Sequence, residues 1–270
     1  MTWTSKATLW PTTPTPPTVP GRYTQAYYDS IEQGSKASAA VIVPLVQGIV
    51  GATSVVDVGC GTGAWLAEFA RSGAERVLGL DGEYVDRSRL LIPRERFVAT
   101  NLDSDWNVPA GEGVFELAVC LEVGEHVKPE RSEQLVAMLA SLAPVVAFGA
   151  AIPYQGGEGH INERWPTFWQ ELFAARAYEV VDPIRKRVWS DRRVEPWYQQ
   201  NFVLYAARDA IAKNDKLRHE YENTFPGFLS IVHPRLYGPL LERSGVKPAG
   251  PWVPEGERIG GAQKNVRKTR

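Results

Sequence analysis

Cysteine, methionine and histidine are scarce in this chain. Among 270 residues there are two cysteines, two methionines and four histidines. Cys60 and Cys120 lie in or beside strand-like runs and form neither a metal-type spacing nor a disulfide framework. A reduced, cytoplasmic setting is therefore the expectation. A charge excess of either sign is also missing, with 30 Lys plus Arg against 31 Asp plus Glu and a net charge of −1. A protein that grips many phosphates usually shows a basic surplus, so nucleic acid is disfavoured as the main partner. No run approaches the roughly 18 consecutive apolar residues of a membrane span. The first twenty residues have neither the basic start nor the apolar centre of a signal peptide.

What is present is ordinary globular composition, 44% hydrophobic and 23% charged. The length suits one large α/β domain. Residues 1–20 hold five prolines and seven threonines, and 1–22 is expected to be an extended arm. Residues 256–270, glycine-led and basic, are expected to be a tail. Residues 23–255 then form a single domain.

Within that domain, strand and helix patterns alternate. SVVDV (54–58), RVLGLD (76–81), RFVAT (96–100), VFELAVCL (114–121), VVAFGA (145–150), YEVVD (178–182) and NFVLYAA (201–207) read as strands. Residues 24–50 and 63–72 read as helices. Pro129 opens a further helix, with Leu135, Met138, Leu139 and Leu142 on one face. Pro166 opens another, with Phe168, Trp169, Leu172 and Phe173 on its apolar side. Such alternation predicts an α/β fold: a Rossmann-like, mostly parallel seven-stranded sheet with helices on both faces.

The sharpest local feature is VVDVGCGTGAWL, residues 55–66. A buried strand runs into a glycine-rich turn, and the next helix begins with free N–H groups facing outward. Gly59, Gly61 and Gly63 alternate, and without side chains there a ligand can approach the backbone. The G-x-G-x-G spacing is neither the dinucleotide G-x-G-x-x-G nor a phosphate-cradling P-loop. A plain tight turn is the structural alternative. Asp81 ends the second strand, where a carboxylate can accept from a ribose diol. A solvated strand-end acid is the alternative there.

D-V-G-C-G-T-G resembles the first motif of class I S-adenosylmethionine (SAM)-dependent methyltransferases, and the likeness covers roughly residues 23–245. It implies SAM as cofactor, with Asp57, Gly59, Gly61, Gly63, Asp81, Asn101, Leu102 and Glu122 at its site. Asp81 would hold the ribose hydroxyls. Asn101 stands where the family often has an acid for the adenine amino group, so either Asn101 or the Leu102 backbone would make that contact. Tyr27 and Tyr28 are candidates to cap the cofactor.

CLEVGEHV (120–127) and the later GHINERWPTFW contain E-x-x-E-H and a distant histidine. This resembles two metal-using groups, the small-RNA 2′-O-methyltransferases and the ubiquinone-pathway O-methyltransferases. Carried over, Glu122, Glu125, His126 and His160 would hold a divalent ion such as Mg²⁺, Mn²⁺ or another first-row metal. Metal-free work by His126 or His160 as general base, with Glu122 also catalytic, stays open, as does a structural role for the motif. The segment from 159 onward, with the later VHPRLYGPLL run, resembles bacterial methyltransferases of surface-glycan and specialised-metabolite pathways. The acceptor implied is a hydroxyl of a sugar or natural product. An RNA 2′-hydroxyl is one alternative, metal-free transfer to a small-molecule nitrogen or hydroxyl through a histidine base is another, and a homodimer is left open. Trp165, Arg187, Trp189, Trp197 and Tyr198 are expected to wall the acceptor pocket, with core packing the competing role for each aromatic.

Overall fold

The structure, a computed structural model, describes residues 25–102, 104 and 113–245, with side chains from residue 32 onward. The expected arm, the basic tail and the side chains of Tyr27 and Tyr28 lie outside the described residues.

Helix α1 (Gln25–Val50) leads into strand β1 (Ser54–Val58), helix α2 (Ala64–Arg71) and β2 (Arg76–Asp81). Then come β3 (Phe97–Ala99), β4 (Leu117–Leu121), α3 (Ser132–Leu142), β5 (Val145–Gly149), α4 (Pro166–Ala174) and β6 (Tyr178–Val181). Two short helices, α5 (Arg185–Val188) and α6 (Pro196–Asn201), precede β7 (Val203–Ala207). The described chain closes with α7 (Arg208–Lys213), α8 (Asp215–Glu222) and α9 (Pro234–Arg243).

The seven strands form one sheet in the order β3-β2-β1-β4-β5-β7-β6. The pairs from β3 through β5 are parallel, and β7 inserts antiparallel between β5 and β6. All seven expected strands exist. β4 starts three residues later than its apolar run, because Phe115 and Glu116 bond outside the ladder, to Leu142 and Ser54 carbonyls. Pro129 opens a 3₁₀ turn, Pro129–Arg131, and α3 starts only at Ser132.

Strand side chains alternate between two apolar layers, as a doubly covered sheet requires. Val55, Leu117, Val119, Ala147 and Leu204 face α1, α2 and α8 through Ile42, Val46, Leu66, Phe69 and Leu217. Val56, Ala118, Val146, Phe148 and Tyr205 face α3 and α4 through Leu135, Leu139, Trp169 and Phe173. Phe173 stacks on Tyr205 with ring centroids 4.0 Å apart, and Phe148 lies 5.0 Å from Trp169. Each such side chain, fully buried, contributes about 1.5–3 kcal/mol of transfer free energy. The parallel strands carry all their C-terminal ends to one edge of the sheet, where ligands bind in open α/β folds.

Candidate active site

The turn after β1 takes its shape from its glycines. Gly59, Gly61 and Gly63 have φ of +82°, +54° and +85°, the left-handed region that residues with a Cβ avoid. At Gly59 a Cβ would also lie 2.2 Å from Val123 Cγ2, so the turn after β4 presses directly on this backbone. Nothing stands within 4 Å of a Cβ at Gly61, which faces open space. Gly63 caps α2 and packs against Ile92. The Gly61 N–H donates to Asp81 Oδ2 at 2.6 Å, which ties the turn to the end of β2.

In front of the turn lies a cavity of about 740 Å³. Gly59, Gly61, Asp81, Tyr84, Asn101 and Leu102 form one part of its wall, and Glu122, Val123 and His126 another. Six of the expected cofactor residues, Gly59, Gly61, Asp81, Asn101, Leu102 and Glu122, therefore line one cavity. Asp57 and Gly63 do not line it. Asp57 is 2% exposed and lies within β1 behind the turn. Burial pushes its carboxyl well above the usual range, and Asp81 adds to this.

Glu122 follows β4 directly and has φ +55°, a left-handed conformation that costs a non-glycine residue about 1–3 kcal/mol. Its N–H donates to Gly149 O at 2.7 Å. Its carboxylate accepts from Asn201 Nδ2 at 3.0 Å and from Gln155 Nε2 at 3.2 Å. Burial raises its pKa, and the Asn201 hydrogen bond opposes that shift. Gln200 extends the clamp by donating to Gln155 Oε1 and Asn201 Oδ1.

The second histidine arrives on the loop between β5 and α4. Ile161 and Asn162 N–H both donate to Glu125 O at 2.9 Å, and Asn162 Nδ2 donates to Gly124 O at 3.1 Å. Gly124 lacks the Cβ that would come within 2.9 Å of Trp169, so the E-x-x-E-H turn can settle onto that ring. His160 and His126 end up with ring centroids 4.9 Å apart, nearly perpendicular. His160 Nδ1 lies 3.0 Å from Glu163 Oε1. Burial of Glu163 opposes its ionisation. Hydrogen bonds from His160 and from the Gly156 and Tyr154 N–H groups outweigh this and hold the carboxyl below its ordinary value. A carboxylate only accepts, so His160 Nδ1 carries a proton in this contact. His126 Nδ1 lies 3.3 Å from Gly159 O, which likewise only accepts. Burial lowers the His126 pKa, with His160 adding to the effect.

Glu125 is fully buried, and neither carboxylate oxygen has a hydrogen-bond partner. Burial pushes its pKa well up, and the charge of Glu122 adds to it. One ligand atom each from Glu125, His126 and His160 lies within 4.8 Å of the others. Three atoms so spaced can share an ion held at about 2.1–2.5 Å from each. Glu122 lies outside this group of three, its oxygens engaged by Asn201 and Gln155. The Glu125 carboxylate without a hydrogen bond, His160 Nε2 only 4.0 Å from its Oε1, the nearby His126 ring and the Glu163–His160 outer contact fit a divalent cation.

The residues expected to wall an acceptor pocket lie away from this cavity. None of Trp165, Arg187, Trp189, Trp197 or Tyr198 lines the cavity. Arg187 pairs with Glu220 at 2.5 Å, and Trp189 packs on His233 with ring centroids 4.4 Å apart. Tyr198 is buried against Trp65 and bonds Ser35 at 2.9 Å, while Trp197 packs on the same core. Trp165 is 38% exposed at the start of α4. Tyr84, Gln155, Glu163 and Asn201 were not anticipated. Polar residues with no motif around them give no local signal, and only folding brings them to the site.

The sheet order, the glycine turn and the acid at the end of β2 define a class I methyltransferase fold. A family profile described as a methyltransferase domain matches residues 22–183. The chain belongs to this methyltransferase-domain family. No curated protein matches. Among solved structures, magnesium protoporphyrin IX methyltransferase (ChlM) from Synechocystis PCC 6803 with bound SAH is similar, with 17% identity and a TM-score of 0.50. That alignment covers 69% of this chain and 89% of that one. The sugar N-methyltransferase KedS8 from Streptoalloteichus sp ATCC 53650 aligns at 14% identity and a TM-score of 0.50, over 74% and 98% of the two chains. The methyltransferase domain of bacterial CtHen1 aligns at 19% identity and a TM-score of 0.48, over 64% and 98%. At these identities the likeness is one of fold. Among the described residues, no helix is long and apolar enough to cross a membrane.

Proposed function

We propose that this enzyme transfers the methyl group of SAM to a hydroxyl of a small molecule, a sugar or natural product. One observation carries the reading: a single cavity runs from the glycine turn, Asp81 and Asn101 to Glu122 and His126. Its volume of about 740 Å³ lies in the range of small-molecule and cofactor sites. Asp81 would take the ribose and Asn101 or the Leu102 backbone the adenine. Glu122, clamped by Asn201 and Gln155, would face the methyl-donor end. Methyl transfer is an in-line displacement, so the chain contributes mainly by positioning donor and acceptor and by excluding water.

Glu125, His126 and His160 would hold a divalent ion beside the acceptor. When bound, it would act as a Lewis acid that lowers the pKa of the acceptor hydroxyl. Glu163 holds the His160 ring through Nδ1, which would leave Nε2 for such an ion. The two neighbouring imidazoles also support a second reading without metal, in which His126 or His160 takes the acceptor proton. The net charge of −1 weighs against the RNA alternative.

Calorimetry with S-adenosylhomocysteine, followed by an acceptor panel of sugars and phenols scored for its release, tests the assignment. Binding with turnover on a hydroxylated acceptor is expected. Well-folded protein that takes up neither SAM nor its demethylated product refutes it. Turnover that survives thorough chelation favours the histidine base.

A further inference from the structure

The environment of Asp81 holds one polar contact too many for the nucleoside site as proposed, and the inference rests on that reading. Asp81 is 4% exposed. Its Oδ2 accepts from Gly61 N–H at 2.6 Å. Its Oδ1 accepts from Gly82 N–H at 2.6 Å and from the Tyr84 hydroxyl at 2.5 Å. A carboxylate offers about four lone-pair positions, so three are taken and one remains, on Oδ2. A ribose diol brings two donors, and the second has nowhere to bind on Oδ1.

The two donors on Oδ1 differ in their freedom to leave. Gly82 N–H belongs to the backbone next to Asp81 at the end of β2. Tyr84 sits on a turn closed by Val85 N–H to Gly82 O at 3.2 Å, and it is 85% exposed. Its ring lies so close across Gly82 that a Cβ there would be 2.1 Å from Tyr84 Cε1. The same ring lines the cavity.

We infer that Tyr84 is a nucleoside-site residue whose hydroxyl occupies the Asp81 position of one ribose hydroxyl, and that the cofactor binds by displacing it. Without cofactor, Asp81 Oδ1 thereby keeps both of its acceptor positions filled, at the expense of cofactor affinity. Desolvation and the neighbouring Asp81 raise the Tyr84 pKa, so the hydroxyl remains a donor at neutral pH.

Calorimetric titration of the full chain with S-adenosylhomocysteine, for wild type, Tyr84→Phe, Asp81→Ala and the double variant, tests this. Tyr84→Phe is expected to tighten binding about fivefold, the worth of one net hydrogen bond. In the Asp81→Ala background the same change is expected to have no effect, because the acceptor that both hydroxyls compete for is gone. Unchanged or weaker binding by Tyr84→Phe, or an equal gain in both backgrounds, overturns the inference. Failure of wild type to bind is a separate outcome: it sinks the nucleoside reading itself, and the role of Tyr84 with it.

Discussion

Glu125→Gln asks the sharpest question of the site. Glu125 is fully buried with neither oxygen hydrogen-bonded, beside the His126 and His160 imidazoles, with His160 Nε2 4.0 Å from Oε1. Leaving a buried polar group unsatisfied costs about 1–3 kcal/mol. A divalent ion would remove that cost by using the carboxylate as a ligand. At a free concentration about 100 times its dissociation constant, an ion bound only to the folded state stabilises it by about 2.7 kcal/mol. For a domain of this size each kcal/mol moves the melting temperature by about 2–4 °C. Wild type should therefore melt about 5–11 °C higher with saturating Mn²⁺, Mg²⁺ or another first-row ion. Glu125→Gln keeps the shape and removes the charge, so its ion-induced shift should fall below about 2 °C. Differential scanning fluorimetry on metal-stripped protein, backed by calorimetry, measures both. An equal shift in the two proteins would place the ion elsewhere. No shift in wild type with any of these ions would remove the metal and leave the histidine base.

Three further outcomes are expected. Glu163→Ala frees His160 Nδ1 and two backbone N–H groups, so methyl transfer should fall about 10–100-fold while S-adenosylhomocysteine affinity stays constant; an unchanged rate would show that His160 needs no such anchor. Asp57 is raised by burial, so between its unfolded value near 3.8 and its folded value the native state holds a proton that the unfolded chain has lost. Stability of the ligand-free protein should thus fall as pH rises through that window, by about 1.4 kcal/mol per unit. Melting curves of Asp57→Asn should lack this component, and parallel pH profiles for the two proteins would contradict it. Gly59→Ala meets both φ +82° and Val123 Cγ2 at 2.2 Å. It should cost about 2–5 kcal/mol in chemical denaturation, and a loss under about 1 kcal/mol would contradict the turn geometry.

How much the sequence revealed follows from the range of each signal. SVVDV and VVAFGA announce buried strands through local composition, and G-x-G-x-G announces its turn because left-handed backbone needs glycine whatever surrounds it. Asp81 was legible because the end of a strand next to that turn is a position, not a contact. The amide clamp on Glu122 was not, since Asn201 stands 79 positions away in the chain and Gln155 stands 33. The aromatic candidates were ambiguous for the same reason. Trp189 and Tyr198 look alike in sequence whether they wall a pocket or fill a core.

By itself the sequence determined the alternation of strand and helix, the left-handed glycine turn and the acid after β2. These follow from side-chain period and backbone sterics within a few residues. Only the tertiary structure decided that β7 inserts antiparallel beside β5, and that Ile161 and Asn162 dock on the Glu125 carbonyl to bring His160 onto His126. It also placed Tyr84 across Asp81. Those outcomes depend on which surfaces close against each other once water is expelled, and no local pattern encodes that choice.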